Sequence, residues 1–285
     1  MKARTVKNFL LALSCPKRTG LIYTVTRWLA EQGCHVIESD TYIDPFSERF
    51  FMRVHFGGKV TLGSLWRTFA PLAEELEMQW DLSADDTRPR ALIMVSRELH
   101  CLLDLLNRTR MDKLRLDIPL IISNHPDAGQ LAKESGIDFL HLPITPENKE
   151  EQEERLIDEI EENNIDFVVL ARYMRILGPE VCERMAGRII NIHHSFLPGF
   201  KGARPYHQAH RRGVKLIGAT AHYVTADLDE GPIIEQDVET VTHRMSPAEL
   251  TAVGHDIERI VLARAVLYHI QRRVLINGRR TVVFR

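Results

Sequence analysis

The sequence predicts two α/β domains in series, the first with a βαββαβ element order and the second built on a mostly parallel sheet. Up to residue 83, short apolar strands alternate with two amphipathic helices. From residue 91 to 285, apolar runs alternate with longer helical stretches, a pattern typical of strands that helices cover on both faces. The polar segment 84–90 contains a proline and lacks periodicity, so we expect it to be the linker.

The first domain is predicted from its strands and helices in order. Apolar or alternating runs at 9–13, 36–43 and 50–56 indicate strands, and the first helix is expected between Gly20 and Gly33. The second helix has these apolar residues on one face: Leu62, Leu65, Trp66, Phe69, Leu72, Ala73 and Leu76. With a last strand ending near residue 82, the order is that of the ferredoxin-like fold.

The turn after the first strand carries a short motif. Residues 13–21, Leu-Ser-Cys-Pro-Lys-Arg-Thr-Gly-Leu, resemble the ACT family of small-molecule-sensing domains. Members of that family often have an acidic residue at this turn, where Lys17 stands here. The resemblance implies two roles that stay open: binding of an amino-acid effector, or assembly of a homo-oligomer, either a dimer or a tetramer.

The second domain is predicted from apolar strands separated by helices. Strands are expected at 91–95, 118–122, 167–170, 188–192, 216–224 and 233–241. An acidic helix is expected at 150–164 and a long one at 247–270, and Asn277-Gly278 predicts the turn of a C-terminal hairpin. No Gly-x-Gly-x-x-Gly follows a strand, so the sequence does not indicate a dinucleotide, and no cofactor is expected.

Composition and charge indicate which cellular compartment and which classes of partner to expect. A formal net charge of −2 gives no global field toward nucleic acid or an acidic membrane, so we expect neither partner. The four cysteines stand far apart, which favours reduced thiols over a disulfide scaffold. No stretch has the length of a membrane span, and the amino terminus lacks a cleavage-site pattern. We therefore expect a cytoplasmic protein.

Polar residues that suit acyl-transfer chemistry follow two strands of the second domain. Asn191 and His193 lie on one face at the end of a buried strand, because side chains alternate along a strand. Asp229 stands in a turn just before Gly231-Pro232. Ligands of open α/β sheets bind at the carboxyl ends of the strands. An amide, an imidazole and a carboxylate at that edge supply oxyanion donors, a base and a proton source.

Two segments resemble the folate-dependent formyltransferase family: 191–198, Asn-Ile-His-His-Ser-Phe-Leu-Pro, and the block from His222 to Asp229-Glu-Gly-Pro-Ile-Ile. The resemblance implies a Rossmann-like formyltransferase domain, 10-formyltetrahydrofolate as substrate, and Asn191, His193 and Asp229 as catalytic residues, with His222 as a further active-site histidine. It also implies an apolar slot for the folate ring. The candidates for that slot are Met174, Ile176, Leu177, Val224, Ala226 and Asp227.

Three further segments resemble those members of the family that use water as the acceptor: 123–127, Ser-Asn-His-Pro-Asp; 171–177, Ala-Arg-Tyr-Met-Arg-Ile-Leu; and 201–210, Lys-Gly-Ala-Arg-Pro-Tyr-His-Gln-Ala-His. The loop at 96–100, Ser-Arg-Glu-Leu-His, lacks the glycines that bring backbone N–H groups close to a phosphate. The resemblance therefore implies a hydrolase that releases formate and tetrahydrofolate, supplies formate for purine synthesis and balances one-carbon pools. Transfer of the formyl group to an amine acceptor is the alternative.

Other classes of function leave weaker signals. A metal hydrolase could use His193, His194, His207 and His210, but neither His-Glu-x-x-His nor an accompanying cysteine appears, so no metal is expected. Ser195 is not part of a Gly-x-Ser-x-Gly motif. An RNA-binding or amino-acid-sensing module is the non-enzymatic alternative, and the basic C-terminal tail is its main support.

Overall fold

The computed structural model describes residues 6–197 and 205–285, with side chains from 206 onward in the second stretch. The chain forms two compact units. The first consists of the chain up to Thr87 together with Tyr268–Arg285, and the second is Arg88–Leu267.

The first unit has the element order that the sequence predicts. Its elements are β1 (Lys7–Pro16), α1 (Leu21–Glu31), β2 (Cys34–Asp44), β3 (Arg49–Gly58), α2 (Leu62–Glu75) and β4 (Gln79–Ala84). The strands form an antiparallel sheet in the order β2-β3-β1-β4. Alternate residues of β1, namely Phe9, Leu11 and Leu13, belong to the core that also contains the buried residues of both helices.

Local sequence explains where these helices begin and end. Gly33 adopts a φ of +69° just after α1, the left-handed conformation in which glycine meets no Cβ penalty. Thr61 caps α2, because its side chain accepts a hydrogen bond from the Ser64 backbone N–H.

The C-terminal hairpin belongs to the first unit, whereas the sequence prediction placed it in the larger domain, 91–285. It consists of β12 (Val274–Asn277) and β13 (Arg280–Val283). Leu275 packs with Ala12 and Phe51 in a small core separate from the one around Phe9. The physical reason is that the middle of β1 is apolar at consecutive positions, so both faces of the sheet need cover. The hairpin packs against the second face of the sheet.

Hydrogen bonds hold the hairpin on that sheet. The buried carboxylate of Asp44 accepts one from Asn277 Nδ2 at 2.7 Å and one from Arg280 at 2.8 Å. The pKa of Asp44 is lowered to about 2, first by the hydrogen bond from Ser47 and then by that from Asn277.

The second unit contains the mostly parallel sheet. Its elements are β5 (Arg90–Val95), α3 (His100–Arg110), β6 (Asp117–Ser123), α4 (Gly129–Glu134), β7 (Asp138–His141), α5 (Lys149–Glu162), β8 (Phe167–Leu170), α6 (Pro179–Arg184), β9 (Ile189–His193), α7 (Pro205–Arg212), β10 (Leu216–Tyr223), β11 (Ile233–Thr240) and α8 (Pro247–Ile270), whose last residues reach the first unit. The strand order is β11-β10-β9-β8-β5-β6-β7.

This sheet confirms the predicted parallel architecture and adds an antiparallel edge. Neighbouring strands from β5 to β9 run parallel, whereas β10 pairs antiparallel with both β9 and β11. The carboxyl ends of β8 and β9 therefore meet at one edge of the sheet, where ligands of such folds bind. Within the described parts of the chain, no helix has both the length and the apolar composition to cross a membrane.

Candidate active site

A cavity of about 300 Å³ lies at the carboxyl ends of β8 and β9. Its wall consists of Leu170 and residues 172–177 after β8, residues 191–194 from β9 onward, His222, and residues 224–229 apart from Ala226. The lining thus combines the apolar segment that follows β8 with the polar residues of β9 and of the β10–β11 connection.

Asn191 and His222 face each other across the β9–β10 pair. His222 Nδ1 lies 2.9 Å from the carbonyl oxygen of Tyr223, and a carbonyl can only accept, so Nδ1 carries the proton. Asn191 Nδ2 lies 3.2 Å from His222 Nε2, which can then accept one amide N–H. The other N–H of Asn191 stays available for a ligand.

His193 and Asp229 form the charged pair of the cavity. His193 Nδ1 lies 3.3 Å from Asp229 Oδ1, and His222 Nε2 lies 3.6 Å from the same oxygen. The hydrogen bond from His193 holds the pKa of Asp229 well below its ordinary value. The carboxylate is therefore ionised at neutral pH. Nε2 of His193 is buried and has no hydrogen-bond partner among the described residues.

Backbone geometry aims Asp229 at the histidines. Asp229 adopts a φ of +57°, in the left-handed region that costs a non-glycine residue on the order of 1–3 kcal/mol. Two residues later the chain returns to β10, where the Tyr223 N–H donates to the Pro232 carbonyl at 2.9 Å. Gly231 allows this close return, because a Cβ there would lie 1.7 Å from the Tyr223 carbonyl oxygen. The register shift between Ala221 and His222 lies on the same stretch of β10.

The segment after β8 forms the apolar wall. Arg172 starts it with a φ of +64°, a second left-handed non-glycine residue in this cavity. Ser96, just after β5, holds the segment twice: its N–H donates to the Arg172 carbonyl at 3.2 Å, and its hydroxyl accepts from the Met174 N–H at 2.9 Å. The Ser96 hydroxyl in turn donates to Asn124 Oδ1 at 2.6 Å.

His194 also lines the cavity, with its ring centroid 4.8 Å from that of His193. Burial, and then the nearby positive charge of Arg172, lower the pKa of His194 to about 4. At neutral pH it is therefore an uncharged imidazole. Its Nδ1 is buried without a partner among the described residues.

Comparison with known proteins places the chain in a family. Residues 89–266 match the family model described as Formyl transferase. A protein of Synechocystis named formyltetrahydrofolate deformylase is 47% identical over 277 residues, which cover 96% of this chain and 97% of that protein. The chain belongs to the formyltetrahydrofolate deformylase family.

Solved structures extend the agreement to the whole fold. The crystal structure of formyltetrahydrofolate deformylase from Burkholderia mallei is 53% identical with a TM-score of 0.95, and the match covers 98% of this chain and 100% of that one. A glycinamide ribonucleotide transformylase 1 from Symbiobacterium toebii is 28% identical with a TM-score of 0.66, and the match covers 72% of this chain and 98% of that one. The family therefore shares the formyl transferase fold with the glycinamide ribonucleotide transformylase.

The cavity brings together nine of the ten residues that the sequence predicted for the site. The residues that line it are Asn191, His193, His222, Asp229, Met174, Ile176, Leu177, Val224 and Asp227. Ala226 is the exception and does not line it. Pro198 and residues 201–204, which belong to the motifs of the resemblance, lie outside the described residues.

Arg172 and His194 are among the lining residues that the sequence prediction of the site did not include. Arg172 and His194 adjoin residues that were singled out, but nothing in an alternating strand pattern marks them. Arg172 lies after the end of β8 and has a left-handed backbone, and His194 lies beyond the end of β9, so strand alternation fixes the direction of neither side chain. Ser195, weighed as a nucleophile, does not line the cavity.

Two groups of described residues bring potential metal ligands within 4.8 Å of one another: Glu98, His100 and His255, and His100, Cys101 and Glu258. The rings of His100 and His255 stack 3.9 Å apart at 11°, so their in-plane lone pairs cannot converge on one ion at about 2.0–2.1 Å. Burial raises the pKa of the Cys101 thiol well above its ordinary value, which disfavours the thiolate ligand. We assign no metal to either group.

Proposed function

We propose that this chain hydrolyses 10-formyltetrahydrofolate to formate and tetrahydrofolate. The observation that carries the proposal is the arrangement of Asn191, His193 and Asp229 around one cavity, in a chain that matches proteins named formyltetrahydrofolate deformylase along nearly its whole length. An amide donor, an imidazole and an ionised carboxylate suit attack of water on an amide carbon.

Asn191 and His193 supply the donors for the formyl oxygen. Asn191 presents the N–H that His222 leaves available, and the protonated form of His193 presents Nε2–H, which faces no other partner among the described residues. The Asp229 carboxylate lies 3.3 Å from Nδ1, on the other side of the ring. Each donor aimed at the developing oxyanion is worth about 3–4 kcal/mol in comparable sites.

Asp229 positions the water and accepts its proton. As the water oxygen bonds to the formyl carbon, a proton passes to Asp229 and the carbonyl becomes an oxyanion. Because hydrogen bonds hold the pKa of Asp229 low, the carboxyl group gives the proton up readily. The proton passes through His193 or a relayed water to N10, the C–N10 bond breaks, and formate leaves with tetrahydrofolate.

The apolar wall suits the folate ring. Met174 and Ile176 are both more than half exposed and line the cavity, so a flat ring laid against them would remove apolar surface from water. Leu177 and Val224 complete this wall, and Asp227 offers a polar atom at its rim. In this scheme the substrate supplies the folate, and no further cofactor takes part.

Water is the acceptor because the loop after β5 is unsuited to a phosphate. The loop 96–100 lacks the glycines that bring backbone N–H groups close to a phosphate, and Glu98 adds an acidic side chain to it. The proposal thus favours hydrolysis over transfer to an amine acceptor, and it gives the chain a role in supplying formate for purine synthesis and in balancing one-carbon pools.

For the first unit we propose an ACT-like domain that assembles a homo-oligomer, a dimer or a tetramer. Its βαββαβ order and antiparallel sheet support this assignment. The exposed edge strand β2 carries Val36, Ile37 and Tyr42, each more than 40% exposed, which suits pairing with a second copy. An amino-acid effector at this domain and a cytoplasmic location also stay predictions.

The experiment is to incubate the purified protein with 10-formyltetrahydrofolate and no acceptor, while formate and tetrahydrofolate are measured. Equal amounts of the two products are expected. Turnover that begins only when an amine is added would assign the chain to the transferases instead.

A further inference from the structure

Glu258 is a fully buried carboxylate on α8, outside the catalytic trio. The Tyr206 hydroxyl donates to its Oε1, and His100 Nε2 lies 2.8 Å from its Oε2. Arg172 Nε lies 3.4 Å from the same Oε2, which makes an ion pair rather than a hydrogen bond. Burial of a charge at this depth is unfavourable unless partners compensate it, and here three side chains do so.

The packing around Glu258 is built for this cluster. Gly254, one helical turn earlier, lies so close to the Tyr206 ring that a Cβ there would meet a ring carbon at 2.1 Å. Burial tends to raise the pKa of Glu258, but the hydrogen bond from His100, the charge of Arg172 and the hydrogen bond from Tyr206 together lower it. The carboxylate is therefore negative opposite a permanently charged guanidinium.

Arg172 connects this cluster to the cavity. It lines the cavity, its side chain is 11% exposed, and its backbone holds the left-handed conformation that starts the segment 172–177. The Ser96 N–H fixes the Arg172 carbonyl from one side, and Glu258 holds its guanidinium from the other. Met174 and Ile176, which follow in this segment, form the exposed part of the apolar wall.

We propose that Glu258 is a positioning residue that acts through Arg172: the buried ion pair holds Arg172 in its left-handed conformation and so shapes the wall against which the folate ring binds. This inference rests on the proposed function for the identity of the ligand. The contact of Asn191 with His222, and those of His193 and His222 with Asp229, do not involve Glu258. Loss of Glu258 should therefore weaken binding of the folate more than it slows the chemical step.

The test compares Glu258→Gln with Glu159→Gln. Glu159 is also a buried carboxylate paired with an arginine, Arg155, but it lies on α5 and does not line the cavity. For Glu258→Gln we expect KM for 10-formyltetrahydrofolate to rise on the order of 10-fold, with a smaller fall in kcat, because the change alters the apolar wall and leaves Asn191, His193 and Asp229 in place. The control variant should keep both constants.

A double-mutant cycle with Arg172→Met shows whether the effect of Glu258→Gln on KM depends on Arg172. If Glu258 acts through Arg172, the double variant should resemble the single variants rather than multiply their effects. Arg172→Lys keeps a charge opposite Glu258 and should recover part of the loss. Independent, multiplying effects would overturn the proposal.

A merely structural role has a different signature, because a smaller folded fraction lowers the apparent kcat and leaves KM unchanged. That outcome for Glu258→Gln would overturn the proposal. If Glu258→Gln does not fold, Arg172→Met removes the same ion pair from its other end. The Kd for tetrahydrofolate should then rise, and an unchanged Kd would overturn the proposal. Wild-type protein without hydrolytic activity would overturn the proposed function instead, so the two failures are distinguishable.

Discussion

Replacing Gly231 by alanine tests whether the close return of the chain to β10 aims Asp229. The new Cβ would lie 1.7 Å from the Tyr223 carbonyl oxygen and 3.3 Å from His222 Nδ1. Real Cβ atoms essentially never come closer than 3.0 Å to such an atom, so the two backbone segments must separate. That movement breaks the hydrogen bond between Tyr223 and Pro232 and displaces Asp229, two residues away.

The expected loss follows from that displacement. A catalytic group moved by about 1 Å can cost about 10²-fold in rate, and crowding of this kind typically destabilises a protein by about 1–3 kcal/mol. We expect kcat to fall on the order of 10²-fold while the protein stays folded, as measured by formate release and by urea unfolding. Gly63→Ala is the matched control, because its new Cβ meets nothing within 4 Å and it lies within α2. Wild-type kcat in Gly231→Ala would refute the reasoning.

Three further predictions concern single charged or titratable groups. Asp229→Asn should lower kcat by roughly 10²-fold or more in steady-state assays of formate release, since it removes the acceptor for the proton of water, and a loss smaller than tenfold would contradict the assignment. His194→Asn should weaken the dependence of the free energy of unfolding on pH between about pH 4 and 6.5. The folded pKa of His194, about 4, lies below the unfolded value of about 6.5, so the wild-type protein gains up to about 3 kcal/mol as pH rises through that range. Urea unfolding at a series of pH values measures this dependence. Asp44→Asn should loosen the C-terminal hairpin, because Asn277 and Arg280 lose their carboxylate acceptor; limited proteolysis should then cut after residue 267 faster than in the wild type, and equal cleavage rates would argue against this contact.

Much of the fold could be predicted from periodicity, because most elements have a buried face that repeats in the sequence. β8 (Phe167–Leu170) and α8 (Pro247–Ile270) occur at the predicted bounds. Others differ by a few residues, as with β1 (Lys7–Pro16), whose ends continue past the apolar run. Backbone hydrogen bonds extend a strand beyond its buried residues, and the pattern of apolar residues does not indicate this extension.

The hairpin at the carboxyl end could not be assigned to a domain from the sequence. Asn277-Gly278 predicts the turn correctly, but a turn does not say which sheet the hairpin covers. The deciding contacts join Leu275 to Ala12 and Asn277 to Asp44, pairs more than 200 residues apart. Only the folded chain brings such pairs together.

In the site, residues on regular strands were predictable and those set by irregular backbone were not. Asn191 and His193 follow from strand alternation at the edge where ligands bind. Arg172 lines the cavity and has a left-handed backbone, which no sequence pattern indicates. Its partner Glu258 lies 86 positions later, on a helix whose sequence is typical of a core helix. A glutamate among the apolar residues of that helix was the available signal, since an unpaired charge in a buried helix would be costly.

The central claim is that water, activated at Asp229, takes the formyl group from 10-formyltetrahydrofolate. The most direct test measures formate and tetrahydrofolate with no amine acceptor present, so that water is the acceptor. It compares the wild-type protein with Asp229→Ala. The account predicts equal release of both products by the wild type and loss of that release in the variant, which should unfold at a similar urea concentration. Formate release at the wild-type rate in Asp229→Ala would contradict it.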